Sequence, residues 1–308
     1  MSQRTVYRER IPNADPRLKR HVHHDDRSRL YAFDTSGLAI VSVRHQRRIP
    51  VLDQGQLGSC TGNAGIGALG TEPFFSVITG ARPLGEPAQR AFSRRAGVGT
   101  KYSLDEDGAV QLYSDATAAD DYPGQYPPDD TGCDGLTIAK VLTAAGEISG
   151  YQHTFSLDDA LKALGVTPWI TGVSWYQDMF NPDPDGRVRP TGTLAGGHEF
   201  VADEIDAEQQ RVWFTNSWGA GWGVGGRFYM TFADFGHLLA DKGDVTIFVP
   251  LSQPAPPPTP PAPTPADPAD VAFAAALRRH DWLHKHHIAD NAYVAKAARN
   301  WLAANPDL

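Results

Sequence analysis

One of only two cysteines in this chain follows a Gly-Ser pair, at the end of the stretch DQGQLGSC that closes at Cys60. A thiol attacks a carbonyl carbon only as thiolate, so a nucleophilic cysteine needs a lowered pKa, which a helix N-terminus and an imidazole can supply. The small residues from Thr61 to Gly70 predict a helix with Cys60 in its first turn and Ser59 as a capping hydroxyl. Taken alone, Cys60 is better interpreted as a buried small apolar residue, and only the motifs elsewhere in the chain favour the catalytic interpretation.

A cysteine nucleophile needs a base, and His198 stands out among eleven histidines because it lies in GGHEFV at the predicted start of a strand. Asn216 opens the motif NSWGAGWG after another predicted strand, where its amide oxygen could orient the imidazole. Trp218 could then shield that hydrogen bond from water. The alternative is a glycine-tryptophan turn with an incidental asparagine.

Strands and helices alternate around these residues. Short β-branched and aromatic runs predict strands at 38–43, 211–216, 227–232 and 244–249. Apolar residues at helical spacing predict helices in CTGNAGIGALG and LTIAKVLTAAG, each stopped by glycine. The stretch from Gly97 to Thr131, rich in Asp, Gly, Pro and Tyr, is predicted to be looped.

The chain ends differ from this central domain, which is predicted to span residues 36–252. Residues 1–35 form a polar arm containing HVHHDD, a cluster that could hold a metal but lacks zinc-site spacing, so a solvated arm is the prediction. Residues 253–268 predict a proline-rich linker.

Residues 269–308 predict a small helical module near the lower size limit for independent folding. Such a module could dock an unknown protein or cell-wall partner. The alternative is a helical hairpin without a specific ligand.

Together, DQG…GSC, GGH and NSWGxGWG resemble the papain-like cysteine peptidases, whose order of functional residues is Cys, His, Asn. The resemblance implies an α+β fold with two lobes, one helical and carrying Cys60, the other antiparallel and β-barrel-like and carrying His198 and Asn216. It implies that Gln54 and the Cys60 backbone N–H hold the oxyanion, and that Cys60 and His198 exist as thiolate and imidazolium. Substrate contacts are expected from Gly58, Ser59, Gly135, Gly197 and Trp218.

Several positions depart from the family pattern. Leu57 stands where animal and plant members usually have a cysteine, and Thr61 where they have tryptophan, so the usual disulfide near the nucleophile cannot form. Leu136 replaces the second glycine of the loop after Cys133, a residue expected to be a free, non-catalytic thiol. The GSCTGNA form resembles the bacterial and phage branch.

Composition limits the other functions. The net charge of −8 argues against nucleic acid as a partner, and no apolar run is long enough for a membrane span or a secretory signal. The expected location is cytoplasmic or phage-associated, the expected partner is a polypeptide substrate, and neither a metal nor an organic cofactor is expected.

The leading hypothesis is a cysteine endopeptidase, a thiol protease. Two alternatives stay open: a peptidoglycan-directed amidase or lysin with the same Cys-His-Asn site, and a non-catalytic binding or virion protein on the same fold. A further hypothesis places residues 1–35 in the cleft as an inhibitory arm.

Overall fold

A computed structural model describes residues 14–79 and 101–251, together with the strand β1 at Arg4–Tyr7. The chain divides between Gln253 and Pro254, and everything below belongs to the first unit. The predicted linker at 253–268 and the predicted helical module at 269–308 lie outside the described residues.

Four helices form one lobe around a buried central helix. They are α1 (Cys60–Leu69), α2 (Phe74–Thr79), α3 (Glu106–Ala119) and α4 (Gly135–Ala145). All ten residues of α1 are buried. A Cβ at Gly62 would collide with the backbone oxygen of Ala109, and one at Gly65 would come within 2.9 Å of Leu112 and Ile138. The small residues of α1 therefore allow α3 and α4 to pack closely against it.

Helix α3 contradicts the prediction of a looped middle region. Asp105 caps it by accepting a hydrogen bond from Gly108 N–H, and its buried residues recur at helical spacing: Ala109, Leu112, Tyr113 and Ala116. The Asp, Gly and Pro content suggested a loop, but the apolar face buried against α1 stabilises the helix.

The second lobe is a seven-stranded antiparallel sheet. Its strands are β3 (Val43–Arg44), β4 (Gly150–Thr154), β5 (Trp169–Tyr176), β6 (Leu194–Asp206), β7 (Arg211–Thr215), β8 (Arg227–Thr231) and β9 (Asp244–Val249). The order is β4-β9-β5-β6-β7-β8, with β3 paired to the outer part of β6. The helices α5 (Leu157–Leu164) and α6 (Phe232–Ala240) pack with this lobe.

The predicted strand at 38–43 is wrong in extent, because only Val43 and Arg44 pair, with Ile205 and Glu204 of β6. Residues 38–42 are at least partly exposed, and Val41 is 47% exposed. The mostly apolar residues 38–42 therefore form no strand, because they have no partner strand beside them. The strands predicted at 211–216, 227–232 and 244–249 are present as β7, β8 and β9.

Two hydrophobic cores correspond to the predicted lobes. One contains Trp169, Trp175, Phe200 and Phe214 of the sheet, and the other contains Ile66, Leu112 and Ile138 of the helices. The predicted combination of a helical lobe and an antiparallel sheet lobe is the architecture of the described chain.

The prediction of a solvated arm is wrong for its described part. Strand β2 (Val22–Asp25) pairs antiparallel with β1, and a 3₁₀ helix follows at Asp26–Tyr31. His21, His23 and Asp25 of the HVHHDD cluster are buried because the arm packs between other elements. Polar composition alone did not reveal the partners available to these side chains.

Among the described residues, no cluster of His, Cys, Asp or Glu side chains has a geometry that could hold a metal ion. None of their helices combines the length and apolarity needed to cross a bilayer. Cys60 and Cys133 are both free, buried thiols.

Candidate active site

Cys60 is the first residue of α1, as predicted, and it is fully buried. Its sulfur receives backbone hydrogen bonds from Glu199, Lys19 and Thr61. Because Glu199 directly follows His198 on β6, the thiol at the helix N-terminus lies against the strand that carries the imidazole. The two lobes therefore meet at Cys60.

The predicted capping role of Ser59 is wrong. Its side chain makes no capping hydrogen bond; instead, Asn63 Nδ2 donates to Ser59 Oγ at 3.1 Å and to the Ser59 carbonyl at 2.9 Å. Ser59 is buried, so its hydroxyl serves the first turn of α1 rather than a substrate-facing surface.

His198 and Asn216 form a buried hydrogen bond, with Nε2 and Oδ1 2.7 Å apart. Asn216 Oδ1 also accepts from the backbone N–H of Ser217 at 2.8 Å, which identifies this atom as the oxygen. Nε2 of His198 is therefore the protonated nitrogen. Nδ1 of a neutral imidazole is then the basic atom, and it makes no hydrogen bond within the described chain.

Aromatic rings fix the plane of His198. Trp218 stacks on the imidazole with ring centroids 4.8 Å apart, and Trp175 meets it edge-on at 5.0 Å. Since β6 holds His198 and the motif after β7 supplies both Asn216 and Trp218, the pairing of these strands assembles this half of the site. The position of Trp218 is the one predicted for a shield of the His198–Asn216 hydrogen bond.

Gln54 is held by the residue after Asn216. Its backbone N–H donates to the Ser217 carbonyl at 2.9 Å, and its Oε1 accepts from the Ser217 hydroxyl at 2.7 Å. This leaves Nε2 as a donor, which bonds the carbonyls of Leu57 at 2.8 Å and Arg17 at 3.2 Å. Ser217 therefore orients the amide of Gln54, a contact that the sequence analysis missed.

The arm runs through the cleft and covers the site. Arg20 N–H donates to the Gly197 carbonyl at 3.1 Å, Cys133 N–H donates to the Lys19 carbonyl at 3.3 Å, and His21 N–H donates to the Cys133 carbonyl at 2.7 Å. Lys19 to His21 thus form a short extended segment between β6 and the loop before α4. Its pairing with both neighbours is parallel.

Side chains secure the arm on both sides of this segment. Lys19 Nζ lies 2.6 Å from Asp130 Oδ2, whose carboxylate also accepts from the hydroxyl of Tyr113. The guanidinium of Arg17 lies 4.2 Å from the ring centroid of Trp218, and Leu18 joins the core of the sheet lobe. The arm is therefore held in the cleft by apolar contacts, an ion pair and backbone hydrogen bonds.

The expected thiolate–imidazolium pair is disfavoured while the arm covers the site. Burial raises the pKa of Cys60 to about 12, assisted by the negative charge of Glu199 and opposed by the backbone hydrogen bonds to the sulfur. Burial lowers the pKa of His198 to about 4, opposed by the hydrogen bond to Asn216. Both groups are neutral at pH 7 in this form because desolvation disfavours each charged state.

The predicted substrate-contacting residues fall into different environments. The side chain of Lys19 packs on Gly58, and a Cβ on Gly197 would lie 2.8 Å from the Arg20 carbonyl oxygen. Gly58, Gly197 and Trp218 are therefore brought to the cleft beside the arm, whereas the Ser59 side chain is turned into α1 and Gly135 faces Glu199.

Sequence reasoning missed the charged residues that face the arm. Glu199 is fully buried although it directly follows His198, and an acidic residue directly before the apolar run Phe200–Ala202 is a signal that the sequence did contain. Arg20 and Asp244 carry no comparable signal, since each lies in a polar stretch and their proximity depends on the path of the arm.

No protein-family model and no curated protein matches this chain. Among solved structures it is similar to xylellain, a cysteine protease from Xylella fastidiosa, with a TM-score of 0.56 and 18% identity over 80% of this chain and 99% of that one. Digestive procathepsin L 3 of Tenebrio molitor is matched with a TM-score of 0.40 at 17% identity, over 71% of this chain and 73% of that one. The likeness to xylellain shows that the described chain has the α+β papain-like fold predicted from its motifs.

Proposed function

We propose that this chain is a cysteine endopeptidase in which Cys60 is the nucleophile and His198 the acid and base. The observation that carries the proposal is the hydrogen bond from His198 Nε2 to Asn216 Oδ1, which leaves the basic Nδ1 without a hydrogen bond to the described residues. The next residue on the same strand, Glu199, contacts the Cys60 sulfur through its backbone. A thiol at a helix N-terminus and an oriented imidazole suit nucleophilic attack on a carbonyl.

In the open site, we expect His198 to take the Cys60 proton through Nδ1. The thiolate attacks the peptide carbonyl carbon, and its oxygen becomes an oxyanion bound by Gln54 Nε2 and the Cys60 N–H. His198 returns the proton to the leaving amine as the C–N bond breaks, giving a thioester. Water, deprotonated by His198, then attacks the thioester and releases the acid and the thiol.

The arm occupies the position of a bound peptide. Its Arg17 carbonyl accepts from Gln54 Nε2 at 3.2 Å, where the developing oxyanion of a substrate would bind. Lys19 presents a backbone N–H to the sulfur, so a donor faces the nucleophile where a carbonyl carbon is required. We propose that residues 1–35 inhibit the enzyme until they are displaced, and that the substrate is a polypeptide.

The proposal is tested with protein that first folds with its arm in place and from which the arm is then removed; this form is called the opened protein. A recognition sequence for a specific protease is inserted between Ser36 and Gly37, which are both exposed. The arm is cut there and removed by gel filtration. Opened and uncut protein are incubated with an epoxide inactivator of cysteine peptidases and with an unfolded protein substrate, and both reactions are read by intact mass.

Labelling confined to Cys60, with fragments formed only by opened protein, is the expected result. Cys60→Ala should abolish both signals, and Cys133→Ala should retain both, because Cys133 is the other buried thiol. Labelling without fragments would favour a lysin of narrow specificity. Absence of both signals from opened protein would refute the peptidase proposal and favour a binding protein.

A further inference from the structure

The arm inserts a buried arginine into an acidic pocket beside the nucleophile. The side chain of Arg20 is 1% exposed, and its Nη2 donates to the Asp244 carboxylate and, at 2.9 Å, to the Lys242 carbonyl. Its Nε lies 4.0 Å from Glu199 Oε2. The guanidinium thus faces two carboxylates and one carbonyl, and the Arg20 and Glu199 side chains are shielded from solvent whereas that of Asp244 is 22% exposed.

Glu199 has no structural task in this pocket apart from facing Arg20. Its side chain is 0% exposed, and neither of its carboxylate oxygens makes a hydrogen bond with the described residues. Burial, together with the nearby carboxylates of Asp244 and Asp134, raises the pKa of Glu199 well above its ordinary value, and the guanidinium of Arg20 opposes this shift only in part. An ion pair between Arg20 and Asp244 would be enough to hold the arm in place. Burying the second carboxylate, that of Glu199, costs desolvation free energy, and holding the arm does not explain it.

The backbone is shaped to leave room for a guanidinium. A Cβ on Gly172 of β5 would collide with both Arg20 Nε and the carboxylate of Glu199, and a Cβ on Gly135 would collide with Glu199. The two N–H groups of Arg20 Nη2 donate to Asp244 and to the Lys242 carbonyl, and the N–H of Nε faces the carboxylate of Glu199. A lysine ammonium is a single point of charge and cannot reach all three.

The pocket opens next to the reacting sulfur. Lys19, the neighbour of Arg20, gives its backbone N–H to Cys60, and Arg20 itself bonds the carbonyl of Gly197, next to His198. A peptide in the cleft therefore places a side chain in this pocket from a residue within about two positions of the bond that Cys60 attacks.

We propose that the pocket formed by Glu199, Asp244 and Gly172 is the specificity pocket of the open enzyme, that it selects substrates with an arginine beside the scissile bond, and that Arg20 of the arm occupies it in their place. The inference rests on the proposed peptidase function. It extends that function by naming the substrate class.

The test compares arginine with citrulline, its neutral isostere, and with lysine and leucine. Opened protein is given peptide libraries in which each of the two residues on either side of the scissile bond is varied in turn, and kcat/KM is measured. The expected result is at least about a tenfold preference for arginine over citrulline at one position, with lysine between them.

Two isosteric variants locate this preference in the pocket. Asp244→Asn and Glu199→Gln should each reduce the arginine-to-citrulline ratio by about threefold or more. Since the ratio is taken within one variant, a general loss of activity cancels. Asp206→Asn, at a surface pair with Arg211, is the matched control and should retain the ratio.

A binding measurement separates this inference from the proposed function. Fluorescent peptides with one arginine or one citrulline, unrelated in sequence to the arm, are titrated into opened Cys60→Ala protein. Cleavage without an arginine preference would overturn the pocket assignment and leave the peptidase standing. If nothing is cleaved, tighter binding of the arginine peptide that Asp244→Asn removes would support the pocket, and equal binding of both peptides would overturn it.

Discussion

At the scale of single residues, the chemistry depends on which nitrogen of His198 carries its proton. Asn216 decides this, because its Oδ1 accepts from both His198 Nε2 and Ser217 N–H. Ser217 in turn orients Gln54 through its hydroxyl. Two consecutive residues after β7 thus position both the proposed base and the proposed oxyanion donor, although neither needs to touch the reacting atoms.

The first prediction concerns Asn216→Ala in the opened protein. We expect kcat/KM to fall about 10- to 100-fold, near the low end of a general acid–base contribution, because Trp218 and Trp175 still hold the ring. The hydrogen bond to Asn216 raises the pKa of His198, so its loss should shift the histidine limb of the pH–rate profile to lower pH.

A role in stability alone would lower activity without moving that limb. Asn181→Ala, at an exposed position after a short 3₁₀ turn, is the control and should leave both rate and profile unchanged.

The second prediction is a loss of stability in the closed chain on mild acidification. The folded-state pKa of His198 is about 4, against an ordinary value of 6.5, because the site is buried. The unfolded chain therefore binds more protons between these values, and the free energy of unfolding should fall as pH drops from 6.5 to 4, by up to about 3 kcal/mol from this residue.

Denaturant unfolding at pH 7, 5 and 4 measures this fall. His198→Gln should show a smaller decrease, with the remainder coming from other groups such as His45 and His153, whose pKa values burial also lowers. Identical pH dependence in both chains would contradict a buried neutral imidazole.

At the scale of elements, the site requires that α1 pack closely against β6. Helix α1 is buried on every side, so its composition of small residues determines how closely α3 and α4 approach. Close approach fixes the N-terminus of α1, and hence Cys60, relative to the strand carrying His198. The glycines of CTGNAGIGALG therefore act on the site through packing.

The third prediction tests this packing. Gly62→Ala should lower the free energy of unfolding by about 1–3 kcal/mol, because its Cβ would meet the backbone oxygen of Ala109, which cannot rotate away. Chemical denaturation followed by circular dichroism measures the change. Gly150→Ala is the matched control, since no atom lies within 4 Å of its added Cβ; equal losses in both variants would contradict the packing explanation.

At the scale of the whole molecule, a segment near the N-terminus closes a cleft built from residues far along the chain. The arm bonds Gly197 on one side and Cys133 on the other, and Leu18 extends the core of the sheet lobe. Closure removes water from both Cys60 and His198, which is why neither is charged at neutral pH. We therefore expect the reactivity of the thiol to depend on the position of the arm.

The fourth prediction loosens the arm in the uncut chain. Leu18→Asp buries an unpaired carboxylate in an apolar site, so the arm should leave the cleft more often. The rate at which iodoacetamide labels Cys60 at pH 7 should rise about tenfold or more. Leu30→Asp is the control, because Leu30 lies in the same arm but is 83% exposed, and it should label like the unmodified chain.

Equal labelling rates for both variants would mean that Leu18 does not hold the arm closed. Circular dichroism should show that both chains remain folded, which separates release of the arm from global unfolding.

The sequence by itself determined the local features of the site. A run of small residues ending at glycine placed Cys60 at the start of a helix, and β-branched and aromatic runs placed His198 on one strand and Asn216 directly after another. The three motifs together indicated a papain-like α+β fold. These signals are local because helix and strand formation follow from periodicity and from residues within a few positions. The helix at α3 was missed because its loop-like composition obscured a regular apolar face.

Only the tertiary structure decided what covers the site and what charges surround it. Arg20 and Asp244 are distant in sequence and lie in polar stretches, so no periodicity links them, and the burial of Glu199 depends on two lobes and the arm closing together. The pKa of Cys60 is raised for the same reason, although a helix N-terminus alone would lower it. Desolvation is a property of everything packed around a group, and it therefore appears only when the whole chain is folded.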